Sequence, residues 1–389
     1  MFRIRTLNKI SPLGLELLPK DKYEAASDIL NPDAILVRSA DLNSAEIPDS
    51  VLAIARAGAG YNNIPVQRCS DKGIVVFNTP GANANAVKEL TLAAMLISSR
   101  DIIGGVNWVS TVTDKQQIGE LVEKEKARFT GPELRGKTLG VVGLGAIGVM
   151  VANDAVSLGM DVIGYDPFIS VEAAWNLSSE VTRADTLESL LSKADYVTLH
   201  VPLSDNTKGL LNAEKFQLMK QDARVINLAR NALVNDKDII KALDAGKLGV
   251  YVTDFPTPEL LPCKKVINIP HLGASTPEAE DNCAVMAVKQ LMDFLENGAI
   301  RNSVNFPRCK LDTRAAYRLL AANRNIPNMV GQITTILAGA NINITDLINH
   351  HRDEYAYNII DTEQQIPGNV LSQIRAVDGI IRVRVIDGQ

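Results

Sequence analysis

The chain has little cysteine, little histidine and no long apolar run. Its four cysteines, Cys69, Cys263, Cys283 and Cys309, are scattered without a CxxC pair or a neighbouring histidine cluster. That spacing supports neither a zinc site nor a disulfide framework, so no metal is expected. No stretch approaches the roughly 18 uninterrupted apolar residues that a membrane span requires. The opening MFRIRTLNKI lacks a signal peptide's apolar segment. These absences lead us to expect a cytoplasmic protein with no membrane partner. Positive charge is not in excess either: the formal net charge is -5, whereas a nucleic-acid partner would normally leave a basic footprint. No nucleic acid is expected, although local positive charge for a small anion remains open.

What is present is an ordinary globular composition, 46% hydrophobic and 22% charged over 389 residues, enough for two or three domains with real cores. Six short runs follow one another from 139 to 272: LGVVGLG, DVIGYD, YVTLHVP, RVINLAR, VYVTDFP and VINIPHL. Each is β-branched and each is followed by a polar or helical stretch, with helices expected over 146–158, 187–194 and 235–245. The pattern predicts an α/β fold with a parallel, doubly wound sheet. A second set, FRIRTLN, AILVRS, LAIARAG and IVVFNT, predicts another α/β unit ahead of it. Residues 87–100 and 277–297 read as long helices bridging the units; the latter opens on proline and acids and closes on Asn-Gly, as a helix should. From 317 onward the order is βαββαβ, a small α+β module expected to stand apart from the main body.

GLGAIG, Gly143 to Gly148, lies between a predicted strand and a predicted helix. Glycines there permit a tight turn, backbone approach to a pyrophosphate and close helix packing, and the helix N-terminus faces the anion. Asp166 closes the next strand, where an acid hydrogen-bonds the adenosine ribose and repels the extra phosphate of NADP. NAD is therefore expected, a merely structural glycine turn being the alternative. GPELRGKT, residues 131–138, formally matches a nucleotide triphosphatase phosphate loop. It follows a polar stretch and runs into a strand, however, which is the reverse of what that loop requires.

In open α/β sheets ligands bind beyond the carboxyl ends of the strands. The six runs end at Gly145, Asp166, His200, Arg230, Asp254 and His271, and five of these are polar or charged. Oxidising an alcohol by hydride transfer needs a base for the hydroxyl proton, a task suited to the histidine of PHLGAST, His271. Glu259, on the loop between the last two strands, is available to orient the imidazole. Arg230 is placed to clamp a substrate carboxylate. His200 is read as a cofactor contact or strand-end packing, and Asp254 as a contact on the nicotinamide side or a helix cap. His350 and His351 read as solvated turn residues.

GLGAIG with Asp166, LHVPLSDNTKGLLN, INLARNALVND, TDFPTPEL and PHLGAST, together with RAGAGYNNI and NTPGANANAVKEL, resemble the signature blocks of the D-isomer-specific 2-hydroxyacid dehydrogenases. The resemblance implies a Rossmann NAD-binding domain over 89–283, a flavodoxin-like substrate-binding domain over 1–88 and 284–307, and an ACT-like regulatory domain over 315–389. It gives Arg230, Glu259 and His271 the catalytic roles. The cofactor positions it implies are Gly143, Gly145, Ala146, Ile147, Gly148, Asp166, His200, Val201, Pro202, Thr207, Leu228, Ala229, Arg230, Asp254, His271, Gly273 and Ala274. On the substrate side it implies Arg38, Ser39, Ala59, Gly60 and Asn83 beside Arg230, with Arg38 at the phosphate end.

The activity implied is NAD-dependent oxidation of 3-phosphoglycerate to 3-phosphohydroxypyruvate, opening L-serine synthesis, by a homodimer or homotetramer. The rivals are a relative acting on hydroxypyruvate, glyoxylate or 2-oxoglutarate, and an NAD-sensing scaffold. Ala40 stands where some relatives carry a second basic residue. Lys124, Lys126 or Arg128 of a neighbouring subunit is the expected compensation. Asn323, Asn325 and Asn343 fall where relatives bind L-serine as effector, Asn328 replaces the usual glycine there, and Asn231 replaces the glycine that commonly follows the arginine.

Overall fold

A computed structural model describes residues 1–113, 116–312 and 316–387. The chain forms two compact units, Met1–Asn83 with Pro277–Gln389, and Ala84–Thr276.

In the first unit the β-branched and alanine-rich runs form five parallel strands, β1 (Phe2–Leu7), β2 (Tyr23–Ala26), β3 (Ala34–Val37), β4 (Ala53–Arg56) and β5 (Val75–Phe77), in the order β2-β1-β3-β4-β5. β3 and β5 are buried throughout, as the strands of a sheet covered on both faces must be. β2 is an edge strand without a β-branched residue, and nothing in the sequence pattern announces it.

The second unit holds β6 (Thr138–Val142), β7 (Asp161–Tyr165), β8 (Thr182–Arg183), β9 (Tyr196–Leu199), β10 (Ala223–Asn227), β11 (Leu248–Thr253) and β12 (Val266–Asn268). All pair in parallel, in the order β12-β11-β10-β9-β6-β7-β8. The chain reverses its direction of travel across the sheet between β6 and β9, and such a switch point opens a crevice at the carboxyl edge. The expected helices form over Ala146–Ser157, Leu187–Lys193 and Asp236–Asp244. The last is capped by the Asn235 side chain, which accepts from the amide of Asp238, satisfying a donor the first turn leaves open. GPELRGKT leads into β6 and opens no helix.

The C-terminal module has the expected βαββαβ order. β13 (Tyr317–Arg324), β14 (Ile344–Arg352), β15 (Tyr355–Thr362) and β16 (Ile380–Asp387) are antiparallel in the order β14-β15-β13-β16, with helices over Met329–Gly339 and Gly368–Arg375. His350 and His351 lie within β14, an exposed edge strand, and not in a turn. A strand turns alternate side chains to opposite faces. On β13, Leu319 and Ala321 meet the two helices, while Leu320 and Ala322 join the core of the five-stranded sheet. The module thus does not stand apart: its free sheet face shares one core with Phe77, Phe294 and Phe306.

That contact is fixed by polar groups at the end of the long helix Pro277–Asn297. Terminal helix carbonyls lack intrahelical partners. Here Arg384 donates to the carbonyls of Phe294 and Leu295 at 2.6 and 3.2 Å, Arg318 to that of Asn297 at 2.9 Å, and the Tyr357 hydroxyl to that of Gly298 at 3.1 Å. Cations at this end also complement the helix dipole. Arg318 is held in turn by Asp361 in a two-pronged pair at 2.6 and 2.8 Å, buried on both sides.

Removing one member of a buried pair strands the other charge, at a cost of about 3–5 kcal/mol. Asp361→Ala should lower the urea midpoint accordingly, while the joint replacement Arg318→Met with Asp361→Leu should cost markedly less. Equal losses in the two variants would contradict the role given to the pair.

Candidate active site

The carboxyl edge of the seven-stranded sheet carries the glycine turn. Gly143 has φ +93, and a Cβ there would meet the backbone of His200 at 2.8 Å. β6 and β9 are neighbours, so the two strand ends flanking the switch point approach to a distance only glycine permits. A Cβ on Gly148 would lie 1.9 Å from the carbonyl oxygen of Gly143, which lets the helix that follows seat against the turn. Beside Gly145, by contrast, a Cβ would meet nothing within 4 Å. Gly145 is the N-cap of the helix Ala146–Ser157 and supplies no side chain to its amides. The donors are left facing open space, as a pyrophosphate cradle requires.

Asp166 is fixed one residue beyond β7. Its two carboxylate oxygens accept from the amides of Leu144 and Phe168, both at 2.8 Å, and its remaining lone pairs are available to ribose hydroxyls. Ala146 is exposed and Ile147 half-buried at the helix start. Thr207 is a loop clasp: its hydroxyl donates to the carbonyl of Pro202 at 2.7 Å and accepts from the amide of Ser204 at 2.8 Å. Val201 packs on the core beneath the loop and Pro202 stays exposed. These features fit a dinucleotide.

The ends of β10, β11 and β12 bring the reactive side chains. Arg230 is exposed, three residues past β10. The turn that presents it depends on Asn227, fully buried as the last residue of β10. Its amide nitrogen donates to the carbonyl of Arg230 at 2.9 Å and its amide oxygen accepts from Ala229 at 3.2 Å. Leu228 is buried beside it. Asn231 opens a short 3-10 turn and is not among the positive-φ residues, so the glycine common at that position is not required here.

Asp254, directly after β11, is buried and caps no helix. Burial raises its pKa, and the charges of His271 and Arg230 act against that rise. The three groups therefore share one electrostatic neighbourhood. His271 is exposed, its ring 4.8 Å from that of Phe255, and its carbonyl accepts from the Ser275 hydroxyl. Gly273 is buried near Asp254, where a Cβ would lie 3.4 Å from the carboxylate, and Ala274 is half-buried beside it. Glu259 is exposed on the loop after β11 and acts on Asp236, whose pKa is raised first by burial and further by the Glu259 charge. Among the described residues no hydrogen bond joins Glu259 to His271.

His200 is half-buried and pairs through Nε2 with the Thr198 hydroxyl at 3.0 Å. Burial pushes its pKa down to about 4.

In the first unit, Arg38 follows β3 and is ion-paired with Glu280 at 2.5 Å. The amides of Ser39 and Ala40 both donate to the Asn8 side chain. Ala59 is tied by its carbonyl to Asn78, and Gly60 and Asn83 are half-buried. Sequence reasoning passed over Arg56, at the end of β4. Its guanidinium lies so close under the loop that a Cβ on Gly58 would strike it at 2.2 Å. Arg56 and Arg38 both act on the buried Cys283 thiol, whose pKa burial raises. Arg56 thus lies in the same electrostatic neighbourhood as Arg38. The signal available was a charged residue closing the run LAIAR.

The three asparagines of the module are not brought together within one chain. Asn323 is buried, donating to the carbonyl of Arg324 and accepting from Asn358 at 2.7 Å. Asn325 lies at the Tyr355 end of the sheet, and Asn343 at the Thr362 end. Asn328 has φ +69, a conformation that explains glycine there and that asparagine tolerates.

Among the described residues there is no cluster of three or more metal-ligating side chains, and no helix is long and apolar enough to cross a membrane. Residues 92–273 match the model of the D-isomer specific 2-hydroxyacid dehydrogenase NAD binding domain. The chain is 35% identical over 339 residues to a D-3-phosphoglycerate dehydrogenase of Methanocaldococcus jannaschii, covering 84% of this chain and 61% of that protein. It is 36% identical to one of Synechocystis, covering 86% and 61%. It thus spans about three fifths of the length of these relatives. Among solved structures, NAD+-bound 3-phosphoglycerate dehydrogenase of Entamoeba histolytica superposes with a TM-score of 0.60 at 26% identity, over 80% of this chain and 99% of that one. Apo D-mandelate dehydrogenase of Rhodotorula graminis shares the fold at TM-score 0.66 and 24% identity, over 78% and 97%.

The state of His200 has a measurable consequence. Between pH 6.5 and about 4 the unfolded chain binds a proton at this imidazole and the folded chain does not. Stability should therefore fall as pH drops through that window, by at most about 3 kcal/mol, and be untouched above it. Urea midpoints from pH 7.5 to 4 should show a weaker acid loss for His200→Gln than for the parent. An imidazole resonance of His200 titrating near 6.5 would contradict the assignment.

Proposed function

We propose that this chain, whose residues 92–273 match the NAD binding domain of the D-isomer specific 2-hydroxyacid dehydrogenases, oxidises a small 2-hydroxy acid, and that the acid is 3-phosphoglycerate. The observation that carries the chemistry is the shared neighbourhood of Arg230, Asp254 and His271, on the same sheet edge as the open helix N-terminus at Gly145.

His271 takes the hydroxyl proton of the bound substrate through its exposed imidazole. Arg230 holds the substrate carboxylate with its planar fork, which fixes the hydroxyl-bearing carbon. Gly143, Gly145 and Asp166 would hold NAD, whose nicotinamide would supply the hydride acceptor. Asp254 adds a buried negative charge that favours the imidazolium formed as the proton arrives. Glu259 is assigned the orienting contact to His271, a contact of the substrate-bound state, since such bonds often tighten only when substrate arrives. Arg38 and Arg56 are assigned the phosphate end. Lys124, Lys126 or Arg128 of a neighbouring subunit belongs to the same reading as a further cation for the phosphate.

The names of the relatives support 3-phosphoglycerate as the substrate; 3-phosphohydroxypyruvate as the product and L-serine synthesis in the cytoplasm as the setting belong to the same proposal. A homodimer or homotetramer belongs to the same reading. So does L-serine as an effector of the C-terminal module. Because Asn325 and Asn343 lie at opposite ends of the sheet, a site that uses both draws them from two copies of the chain.

Absorbance of NADH with purified protein tests the reading. The specificity constant for 3-phosphohydroxypyruvate should exceed those for hydroxypyruvate, glyoxylate and 2-oxoglutarate. His271→Ala should lower turnover by about 100-fold or more with NAD affinity unchanged. Equal rates with the unphosphorylated acids would replace the substrate, and parallel loss of turnover and NAD affinity would remove the role of His271.

A further inference from the structure

The strongest unexplained feature lies in the first unit, where the edge strand β14 faces the segment after the long helix. Two adjoining lobes of about 410 and 540 Å3 open there, and both are lined by Arg301, Arg308 and His350. Lys310 and Asp312 line one lobe, and His351 and Arg352 line the other. In the register of β14 against β15, His350 stands opposite Tyr357 and Arg352 opposite Tyr355. Both therefore point to the sheet face that meets Phe306. Arg301, Arg308 and Lys310 line the cleft from the segment after the long helix.

These groups are held in place. His350 lies 2.7 Å by Nδ1 from the carbonyl of Arg308. A carbonyl only accepts, so Nδ1 carries the proton and Nε2 is free of that bond. Arg352 donates to the carbonyl of Ser303 at 2.8 Å. Two carboxylates are near, and each is already engaged: Asp293 with Arg301 at 3.3 Å, and Asp312 with Lys310. A chain with net charge -5 thus gathers cationic side chains around one cleft. Among the described residues Arg308 and Arg352 have no carboxylate ion pair, and their positive charge favours a bound anion.

We propose that this cleft is a binding site for a small polyanion, carrying phosphate groups or several carboxylates, separate from the candidate active site. The lobes have the size of small-molecule sites, and the guanidiniums offer forks suited to phosphate or carboxylate oxygens. The apolar floor of Phe306, Pro307 and Ile348 limits competition from water.

Calorimetric titration of the full chain with pyrophosphate and, separately, citrate tests the proposal and distinguishes the two anion sources. At least one probe should bind saturably. Arg308→Ala, at an exposed position, should weaken that binding by about tenfold or more, whereas Arg183→Ala, which removes an exposed cation in the other unit, should not. Arg38→Ala removes the candidate substrate-phosphate contact and should leave this binding intact. The proposal is overturned if neither probe saturates, if Arg308→Ala binds as tightly as the parent, or if Arg38→Ala alone abolishes binding. Circular dichroism of Arg308→Ala separates lost binding from lost folding. Should it unfold, Lys310→Ala takes its place with the same expectation.

Discussion

Parallel pairing is the constraint on which the candidate active site rests. Because every strand of the seven-stranded sheet runs the same way, all its carboxyl ends lie along one edge. Residues far apart in sequence, from Gly143 to His271, are delivered there without any loop having to reach. The reversal between β6 and β9 then fixes where along that edge the crevice lies. Gly143 and Gly148 act at that point by letting backbones come close, and Asp166 is fixed beside them by two amides. The chemistry is arranged by the sheet, and the reactive side chains need only occupy the strand ends.

Much of this was legible in the sequence because it is written locally. A β-branched run ending in a polar residue names both a strand and its functional tip, so the strands and helices of the second unit fall close to where the pattern puts them. The order of the C-terminal module was equally legible. What was hidden depends on side-chain and neighbour contacts that no residue pattern announces. Asn227 looks like an ordinary strand residue until its amide is seen holding the backbone on both sides of Ala229. Asp254 closes its strand like any buried polar residue until the charges of His271 and Arg230 are found acting on it. β2 has no patterned signal, since an edge strand is defined by its neighbour.

The placement of the C-terminal module is the clearest case. Its strand LLAA on β13 carries apolar residues on both faces, where a two-layer module with one face in water would alternate apolar with polar. Read that way, the run already asked for a second covering layer. The order of elements names the module, and only the missing polar face tells that it is covered.

The capped end of the helix Pro277–Asn297 adds a consequence for how the protein comes apart. Its last carbonyls are satisfied by side chains from β13, β15 and β16, and the aromatic core beneath is common to both sheets of the first unit. The module therefore cannot be exchanged like a cartridge. A chain ending before residue 316 would emerge from synthesis with frayed helix carbonyls and an uncovered aromatic face, a surface for chaperones or aggregation. The shared core couples the two sheets of the first unit, so its N-terminal strands take part of their cover from the last strands of the chain.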